Sequence, residues 1–465
     1  MPDATAKSRV NILLIHSDQH RFDCLGINGH PFLRTPNLDK LAAQGVNFTH
    51  AFTACPACVP ARNSLLYGVW PGEHGAITNW GTEAAHASEP GLPSFSQTLR
   101  DAGYYLGYVG KWGVHPKRTP LDYGFHEYVA EGEYQEWRAA KGLPPLPRTN
   151  GWFGEVDPHI GPEHSRMAWG ADHTIHMLAK CAGSREPFFI RWDPSGPHLP
   201  NTVPEPYASM YPPAQIPPWP SFPDPLLGKP YIQAQQRRTW KIEGWTWADW
   251  AAIVSRYLGE ISLMDAQIGR VLTALAQLGL DRNTLVIYTS DHGDLCGGHG
   301  MIDKHFVMYD DVVRVPLIVR WPGRTPEGQR CDAFVSSNID LATTFCAVAG
   351  LSPPPTFRGH SLLPLLSGEG SRREDIFSVY YGSQFGLYSQ RMIRDRRWKY
   401  VWNATAEDEL YDLELDAGEL RNLAGNTIYR GELARLRQRL IGWMEETHDR
   451  LLNQWTRAVL LEGLK

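Results

Sequence analysis

The sequence lacks the excess of positive charge that would attract a polyanion. Forty-five lysine and arginine residues stand against fifty aspartate and glutamate residues in a chain of 465, which leaves a formal net charge of −5. Binding to nucleic acid or to an anionic membrane depends on a basic surface. We therefore expect neither partner, and any site for an anion must be local.

Long hydrophobic runs and a disulfide framework are also missing. Residues 1–9 are polar, and the apolar run 10–15 is far shorter than a membrane span or a complete signal peptide. Seven cysteines are scattered along the chain, an odd number without the spacing of a disulfide framework. These features predict a protein that is neither exported nor bound to a membrane, and that works in the reducing cytoplasm.

What the sequence does contain is enough apolar material for a large core. Hydrophobic residues make up 42% of the chain, charged residues only 20%, and there are 17 Trp, 19 Tyr and 16 Phe. This composition excludes disorder, collagen and coiled coil as descriptions of the whole chain. The length exceeds what one core usually spans, so we expect one large domain and a smaller appended one.

Two apolar segments have the pattern of buried parallel strands, and each is followed by an aspartate. Residues 10–17 precede Asp18, and residues 284–290 precede Asp291. Ligand sites in open α/β sheets collect at the carboxyl ends of strands, so these two carboxylates are expected to meet. Helices are predicted in between, at residues 37–44, 62–67, 94–102 and 251–278. The alternation predicts an α/β fold, with a large, mostly parallel, doubly wound sheet flanked by helices.

A proline- and tryptophan-rich segment interrupts this pattern at residues 200–250. The density of proline from 200 to 230 predicts no regular helix or central strand before about Trp247. The segment either forms a lid or aromatic wall over a substrate cleft, or is an inserted arm that packs on the domain.

A second domain is predicted from residue 371 to 465, after a catalytic domain of residues 1–370. Short strand-like pieces at 377–381, 392–394 and 398–401 suggest a small antiparallel sheet. A helix at 427–448 has one apolar stripe that we expect to pack on that sheet, formed by Leu433, Leu436, Leu440 and Trp443.

One cysteine lies at the predicted start of a helix. The run Cys58-Val-Pro-Ala-Arg62 leads into a helix-like segment closed by Gly68. The positive end of the helix dipole and Arg62 would favour a negative charge at position 58. A lone cysteine is otherwise more often a small buried hydrophobe, so these residues alone leave both interpretations open.

The wider pattern resembles the type I sulfatases of the alkaline phosphatase superfamily over nearly the whole chain. Cys58-x-Pro-x-Arg62 with the following Ser64-Leu-Leu-Tyr-Gly68 is similar to that family's signature. Further stretches match in order: Asp18-Gln-His-Arg21, His74-Gly75 leading to Asn79, Gly110-Lys-Trp112, Pro197-His198, Leu263-Met-Asp265, Thr289-Ser-Asp-His-Gly293, Lys304 and Leu410-Tyr-Asp-Leu413.

The resemblance implies that Cys58 is oxidised after translation to formylglycine by a formylglycine-generating enzyme. The aldehyde would be hydrated to a geminal diol, one hydroxyl of which is the nucleophile. An ordinary alcohol would leave a stable ester, whereas a hemiacetal ester collapses and releases sulfate once its remaining hydroxyl loses a proton. Ala61 stands where many relatives have serine, but the cysteine, proline and arginine remain, so we expect the oxidation to proceed.

The resemblance also implies one divalent metal, held by Asp18, Gln19, Asp291 and His292 together with residue 58. Carboxylate and amide oxygens favour calcium or magnesium, and a histidine nitrogen makes manganese acceptable; calcium is the first expectation. Many relatives have a second aspartate in place of Gln19. The Asp-Gln and Asp-His pairs are also similar to those of phosphonate monoester hydrolases, which leaves the choice between sulfate and phosphonate open.

By the same resemblance, cations and imidazoles surround this centre. Arg62 would hold the formylglycine oxygens, and Lys111 with Lys304 would stabilise charge on the transferred group. His198, together with Lys304, would donate to the leaving oxygen. The family's Gly-Lys-Trp-His continues here as Gly110-Lys-Trp-Gly-Val-His115, so that His115 either reaches the site as the base through a changed loop or lies at the surface.

Asn79 matches a family position that contacts the substrate or the nucleophile, and its alternative is a solvated turn residue. The expected activity is hydrolysis of sulfate monoesters, with a phosphonate monoester or phosphodiester hydrolase as the alternative on the same machinery. An unmodified Cys58 would instead suggest a non-catalytic oxyanion-binding protein. The sequence does not choose between sugar, aryl and alkyl esters, and it leaves a homo-oligomer open.

Overall fold

The computed structural model describes residues 9–80, 91–370 and 373–463. Residues 1–8 of the polar stretch noted above lie outside this part of the chain. The strands are β1 (Asn11–Ser17), β2 (Val46–Phe48), β3 (Ala51–Phe52), β4 (Tyr105–Gly110), β5 (Glu127–Ala130), β6 (Glu155–Val156), β7 (Phe188–Asp193), β8 (Thr202–Val203), β9 (Thr284–Ser290), β10 (Leu317–Arg320), β11 (Gln329–Cys331), β12 (Val335–Ser336), β13 (Ile376–Ser383), β14 (Gly386–Arg394), β15 (Trp398–Asn403) and β16 (Glu409–Asp412).

The predicted helices are present, with ends that move by up to four residues. The helices are α1 (Pro36–Ala43), α2 (Cys58–Tyr67), α3 (Pro71–His74), α4 (Phe95–Asp101), α5 (Glu133–Ala140), α6 (Arg166–Cys181), α7 (Tyr231–Trp240), α8 (Trp247–Gln277), α9 (Asp310–Val313), α10 (Ser337–Val348), α11 (Leu363–Leu366), α12 (Arg430–Glu446) and α13 (Gln454–Glu462).

The main sheet is large and mostly parallel, which confirms the predicted α/β fold class. Its strand order is β11-β2-β10-β9-β1-β7-β4-β5. The strand β10 pairs antiparallel with both of its neighbours, whereas β1, β7, β9, β4 and β5 run parallel to one another. Helices cover both faces of this sheet, as in a doubly wound fold.

The central strand β1 shows why both faces are covered. Its side chains point alternately to the two sides of the sheet. Ile12 and Leu14 pack into the core under α2, α4 and α10. Leu13 and Ile15 pack into a separate core under α1, α6 and α8. All seven residues of the strand are buried, so its continuous apolar run is explained by burial on both faces.

The register of the parallel strands sets the position of the acidic residues. Ser17 at the end of β1 pairs with Ser290 at the end of β9, so that Asp18 and Asp291 leave the sheet side by side. On the other side of β1, Ile15 pairs with Trp192, which places Asp193 next to His16. The expected meeting of Asp18 and Asp291 at one sheet edge is confirmed.

The proline-rich arm differs from the prediction in one respect. A regular helix, α7, begins at Tyr231, well before Trp247. The prediction was wrong because Pro230 is the last proline of the segment, and the ten residues after it contain neither proline nor glycine. The backbone angle φ of −52° at Pro230 is compatible with a helix start.

The arm packs on the domain through its tryptophans. Trp219 is buried, and its indole N–H donates to the carbonyl oxygen of Cys296 at 2.8 Å. Trp247 donates to the carbonyl oxygen of Ile216 at 2.7 Å, and Trp240 and Trp245 are half-buried against the same core. Of the two interpretations, the packing arm is the one that these contacts support.

A separate antiparallel sheet forms the C-terminal region, with the order β13-β14-β15-β16. Leu433, Leu436, Leu440 and Trp443 of α12 pack into its core, as predicted. The Trp443 ring stacks on Phe377 of β13 at 4.8 Å. The division at residues 370 and 371 stays a prediction, since residues 371 and 372 lie outside the described part. Within the described ranges, no helix is both long and apolar enough to cross a membrane.

Candidate active site

Cys58 lies at the first position of α2, a helix whose residues are all buried and which ends at Gly68 as predicted. Three polar groups surround its sulfur. Sγ lies 3.2 Å from Nε2 of His292 and 3.7 Å from Oδ1 of Asp18. The ammonium group of Lys111 lies 3.7 Å from Sγ on another side. The helix N-terminus, an imidazole and an ammonium group therefore all face the same atom.

The donor set around Cys58 is suited to a metal ion. Ligand atoms of Asp18, Cys58, Asp291 and His292 all lie within 4.8 Å of one another, and the four residues are buried. Nδ1 of His292 lies 2.9 Å from the carbonyl oxygen of Gly293, which fixes the proton on that nitrogen. Loss of the Nε2 proton on metal binding would give the neutral tautomer that a metal ligand needs, with the lone pair of Nε2 towards the carboxylates.

Arg62 holds the acidic residues of this cluster together. Its Nη2 donates to Asp18 at 3.0 Å, and its Nε donates to Asp291 at 3.1 Å. Its Nη1 pairs with Asp193, a third buried carboxylate. The guanidinium is fully buried, so these pairs stabilise it against the cost of desolvation. Arg62 therefore fixes the geometry of Asp18 and Asp291, and its contact with the oxygens of residue 58 stays a prediction.

Gln19 follows Asp18 in a left-handed backbone conformation, with φ of 66°. Its carboxamide joins two other groups of the site. Oε1 accepts from Nζ of Lys304 at 2.7 Å, and Nε2 donates to Oδ2 of Asp294 at 2.7 Å. The Gln19 carboxamide is thus held between Lys304 and Asp294. Its role as a metal ligand stays a prediction.

Lys304 and His198 meet on the open side of the cluster. Nζ of Lys304 lies 2.8 Å from Nε2 of His198. Nδ1 of His198 lies 2.5 Å from the carbonyl oxygen of Leu199, which fixes the proton on Nδ1. His198 is half-buried, whereas only 2% of the Lys304 side chain is exposed. These two predicted leaving-group donors are therefore adjacent.

The side chains of His115 and Asn79 each accept hydrogen bonds from backbone N–H groups, but of different segments. Nδ1 of His115 accepts from the backbone N–H groups of Lys117 and Arg118, at 3.1 and 2.9 Å, so its ring is oriented by its own loop. Asn79 accepts from the backbone N–H of Val59 at 3.0 Å. That contact places Asn79 beside the N-terminus of α2, next to Cys58.

The charges around position 58 favour an anion there. Burial raises the pKa of the Cys58 thiol, and the Asp18 carboxylate adds to that effect. The positive charges of Lys111, Lys304 and His292 outweigh both, and they hold the pKa well below its usual value. A thiolate, or an oxyanion on an oxidised residue 58, is therefore stabilised in this site.

Two carboxylates of the site were missed from the sequence. Asp193 ends an apolar strand, as Asp18 and Asp291 follow theirs, so the same signal was available for it. Asp294 lies in a glycine-rich loop, and no sequence signal distinguishes it. Burial raises its pKa to about 6. Its Oδ1 accepts from the backbone N–H of Cys296 at 2.8 Å, while Oδ2 holds Gln19.

Comparison with known proteins shows the same fold and sequence family over most of the chain. The sequence model of the sulfatase family matches residues 10–351, and that of the N-sulphoglucosamine sulphohydrolase C-terminal region matches residues 297–446. An arylsulfatase of Clostridium perfringens is 30% identical, with 94% of each chain covered.

Two solved structures are similar in fold. The phosphonate monoester hydrolase of Agrobacterium radiobacter superposes with a TM-score of 0.82 at 28% identity, covering 94% of this chain and 96% of its own. The phosphonate monoester hydrolase of Silicibacter pomeroyi also has a TM-score of 0.82, at 25% identity, covering 96% of this chain and 97% of its own.

Proposed function

The chain belongs to the sulfatase family of the alkaline phosphatase superfamily, and from that premise we propose that it hydrolyses sulfate monoesters by means of an oxidised Cys58. Family membership makes it a hydrolase of sulfuric esters and favours an enzyme over a non-catalytic oxyanion-binding protein. The observation that carries the proposal is the position of Cys58 at a buried helix N-terminus, 3.2 Å from His292 and 3.7 Å from both Asp18 and Lys111.

Position 58 supplies the nucleophile in this proposal. Oxidation of Cys58 to formylglycine and hydration of the aldehyde place a hydroxyl group where Sγ lies. The surrounding positive charges that lower the thiol pKa also favour loss of a proton from that hydroxyl. Lys111 lies 3.7 Å from Sγ and is partly exposed, so its charge would stabilise the oxygens of a transferred sulfuryl group bound at residue 58.

The divalent metal is assigned to Asp18, Gln19, Asp291 and His292, with residue 58 as a further ligand. The donor chemistry fits a hard cation, and calcium is our first choice, with magnesium or manganese as alternatives. When bound, the metal would lower the pKa of a coordinated hydroxyl group and polarise an anionic oxygen. Arg62 keeps Asp18 and Asp291 in place for it.

Protonation of the leaving oxygen is assigned to the pair His198 and Lys304. Nζ of Lys304 donates to Nε2 of His198, so the ammonium group is the proton source of this pair. The base that removes the last proton from residue 58 is assigned to His115, on the strength of the family motif alone. Asn79 is assigned to substrate binding beside position 58, because it contacts the N-terminus of α2 next to Cys58.

Phosphonate monoester or phosphodiester hydrolysis is the second candidate. Two observations favour it: the similarity in fold to two phosphonate monoester hydrolases, and the glutamine at position 19. An amide in place of a carboxylate makes the site less negative, which suits a more highly charged transferred group. The same nucleophile and cations would serve both reactions, so activity on both classes is part of this candidate.

Further proposals concern the maturation, the substrates, the cellular location and the oligomeric state of the enzyme. A formylglycine-generating enzyme is the required maturation partner, and small sulfate or phosphonate esters are the substrates. We also propose a cytoplasmic location, since all seven cysteines are free thiols in the structure. A homo-oligomer is compatible with the apolar residues that remain exposed on the C-terminal helices.

The discriminating experiment compares kcat/KM for an aryl sulfate with kcat/KM for an aryl phosphonate monoester that has the same leaving group. Both are measured on one metal-replete preparation with known formylglycine content. We expect the sulfate to be favoured by about tenfold or more, a difference of about 1.4 kcal/mol in transition-state stabilisation. A preference for the phosphonate would make the second candidate the correct function.

A further inference from the structure

The ammonium group of Lys304 has three partners in the structure. Nζ contacts Oε1 of Gln19 at 2.7 Å, Nε2 of His198 at 2.8 Å and Oδ1 of Asp303 at 3.1 Å. The contacts with Gln19 and His198 are hydrogen bonds and the contact with Asp303 is an ion pair, so together they restrain the position of the ammonium group. Asp303 is the charged member of the set, and the proposed chemistry has so far given it no role.

Asp303 is itself held by the residues around it. Its second oxygen, Oδ2, lies 3.1 Å from Nε2 of His305. Nδ1 of that ring lies 3.0 Å from the hydroxyl group of Tyr380, on strand β13 of the C-terminal sheet. All of these side chains are buried. A continuous set of polar contacts therefore runs from the C-terminal sheet to Lys304.

The backbone of Asp303 is fixed as well. Its N–H donates to Oδ1 of Asp294 at 3.1 Å, and its carbonyl oxygen accepts from the N–H of Leu295 at 2.8 Å. Its φ of 68° lies in the left-handed region, and Phe306, three residues later, has φ of 65°. Non-glycine residues adopt this conformation at a cost, so the surrounding contacts must hold the loop in it.

We propose that Asp303 is a positioning residue for the leaving-group step, and that Tyr380 supports it through His305. Asp303 neutralises the buried Lys304 charge and keeps the ammonium against Nε2 of His198. In this position Lys304 supplies the proton for the oxygen that leaves the transferred group, and His198 holds the ammonium group in place. This inference rests on the proposed function. It adds that Asp303 determines how fast the enzyme hydrolyses esters with poor leaving groups.

The expected effect of losing Asp303 depends on the leaving group, because only a poor leaving group needs a proton donor. A good leaving group departs as a stable anion and gains little from a proton donor, whereas a poor one depends on it. Loss of Asp303 would leave Lys304 with Gln19 and His198 as its contacts and without the carboxylate that pairs with its charge in a buried site. The cost should therefore fall on poor leaving groups and spare good ones.

The test is the variant Asp303→Asn, assayed on a series of aryl sulfates from 4-nitrophenyl sulfate to unsubstituted phenyl sulfate. We expect kcat/KM for phenyl sulfate to fall by about 30- to 100-fold, and that for 4-nitrophenyl sulfate by less than about 3-fold. The dependence of rate on leaving-group pKa therefore becomes steeper. Tyr380→Phe keeps the ring and should shift the series in the same direction by a few-fold.

Asp224→Asn is the matched control. Asp224 is buried, pairs with Lys229 and lies 2.7 Å from Nδ1 of His299 in the neighbouring loop. None of the contacts found for its side chain involves Lys304 or His198. A loss through general loosening of the structure should lower the rates of all esters by one factor, so the slope of the series in Asp224→Asn should equal that of the wild type.

Two outcomes would overturn the inference. One is an equal loss of kcat/KM on phenyl sulfate and 4-nitrophenyl sulfate in Asp303→Asn. The other is a dependence of rate on leaving-group pKa that is unchanged in both Asp303→Asn and Tyr380→Phe. A wild-type enzyme that is inactive on every aryl sulfate would instead contradict the proposed function. In that case the same variants are compared on a series of aryl phosphonate monoesters, where a steeper slope in Asp303→Asn supports the inference and an unchanged slope overturns it.

Discussion

Replacement of Cys58 by alanine is expected to abolish hydrolysis of sulfate esters, with kcat reduced by about 10⁴-fold or more. Alanine cannot be oxidised to an aldehyde, so the variant has no hydroxyl group at position 58 to attack sulfur. The proposed metal ligands, Arg62 and Lys111 all remain, but in the proposed mechanism they only stabilise a reaction that residue 58 must begin. The measurement is kcat on 4-nitrophenyl sulfate with saturating metal.

The matched control for this variant is Cys55→Ala. Cys55 lies three residues earlier and is equally buried, in the core beneath the C-terminal sheet. No hydrogen bond found for its side chain joins it to the metal-ligand cluster, so its removal should leave kcat within about 3-fold of the wild type. Circular dichroism and thermal unfolding would establish that both variants fold. A Cys58→Ala enzyme that keeps more than a tenth of wild-type kcat would contradict the assignment of the nucleophile.

Asp291→Asn is expected to lower kcat by about 10³-fold and to reduce the bound metal well below one equivalent. The change keeps the size of the side chain but removes one negative charge from the ligand set. It also leaves the guanidinium of Arg62 with only Asp18 and Asp193 as charged partners. The measurements are metal content by elemental analysis and kcat as a function of added metal.

Asp193→Asn separates the metal effect from the loss of an Arg62 partner. Asp193 pairs with Arg62 but does not belong to the cluster of ligand atoms. Its replacement should weaken the anchoring of Arg62 while the metal content stays near the wild-type value. If Asp291→Asn also retained a full equivalent of metal at wild-type affinity, the proposed ligand set would be wrong.

The part of this site that follows from the sequence is the part encoded by strand ends. An apolar run that stops at an aspartate marks Asp18 and Asp291, and the register of adjacent parallel strands then brings them together. The cysteine motif adds Cys58 and Arg62, because the helix start and its closing glycine are both local signals. Local pattern and sheet topology thus bring together the potential ligand atoms of Asp18, Cys58 and Asp291.

Other parts of the molecule depend on contacts that no local pattern encodes. The polar contacts from Asp303 through His305 to Tyr380 join a loop of the large domain to a strand of the C-terminal sheet, and His305 and Tyr380 are 75 positions apart. The direction of the Gln19 carboxamide is set by Asp294, which is remote in sequence. The helix α7 was missed for a different reason, because the proline density was averaged over a segment that ends before the helix begins.

The most direct test of the proposed chemistry relates the state of residue 58 to activity. Preparations made with increasing amounts of formylglycine-generating enzyme would be divided between peptide mass spectrometry of position 58 and assay on 4-nitrophenyl sulfate. We expect kcat to rise in proportion to the fraction of formylglycine and to extrapolate to zero activity for the unmodified thiol. Full activity in a preparation whose Cys58 is entirely a thiol would contradict the formylglycine mechanism.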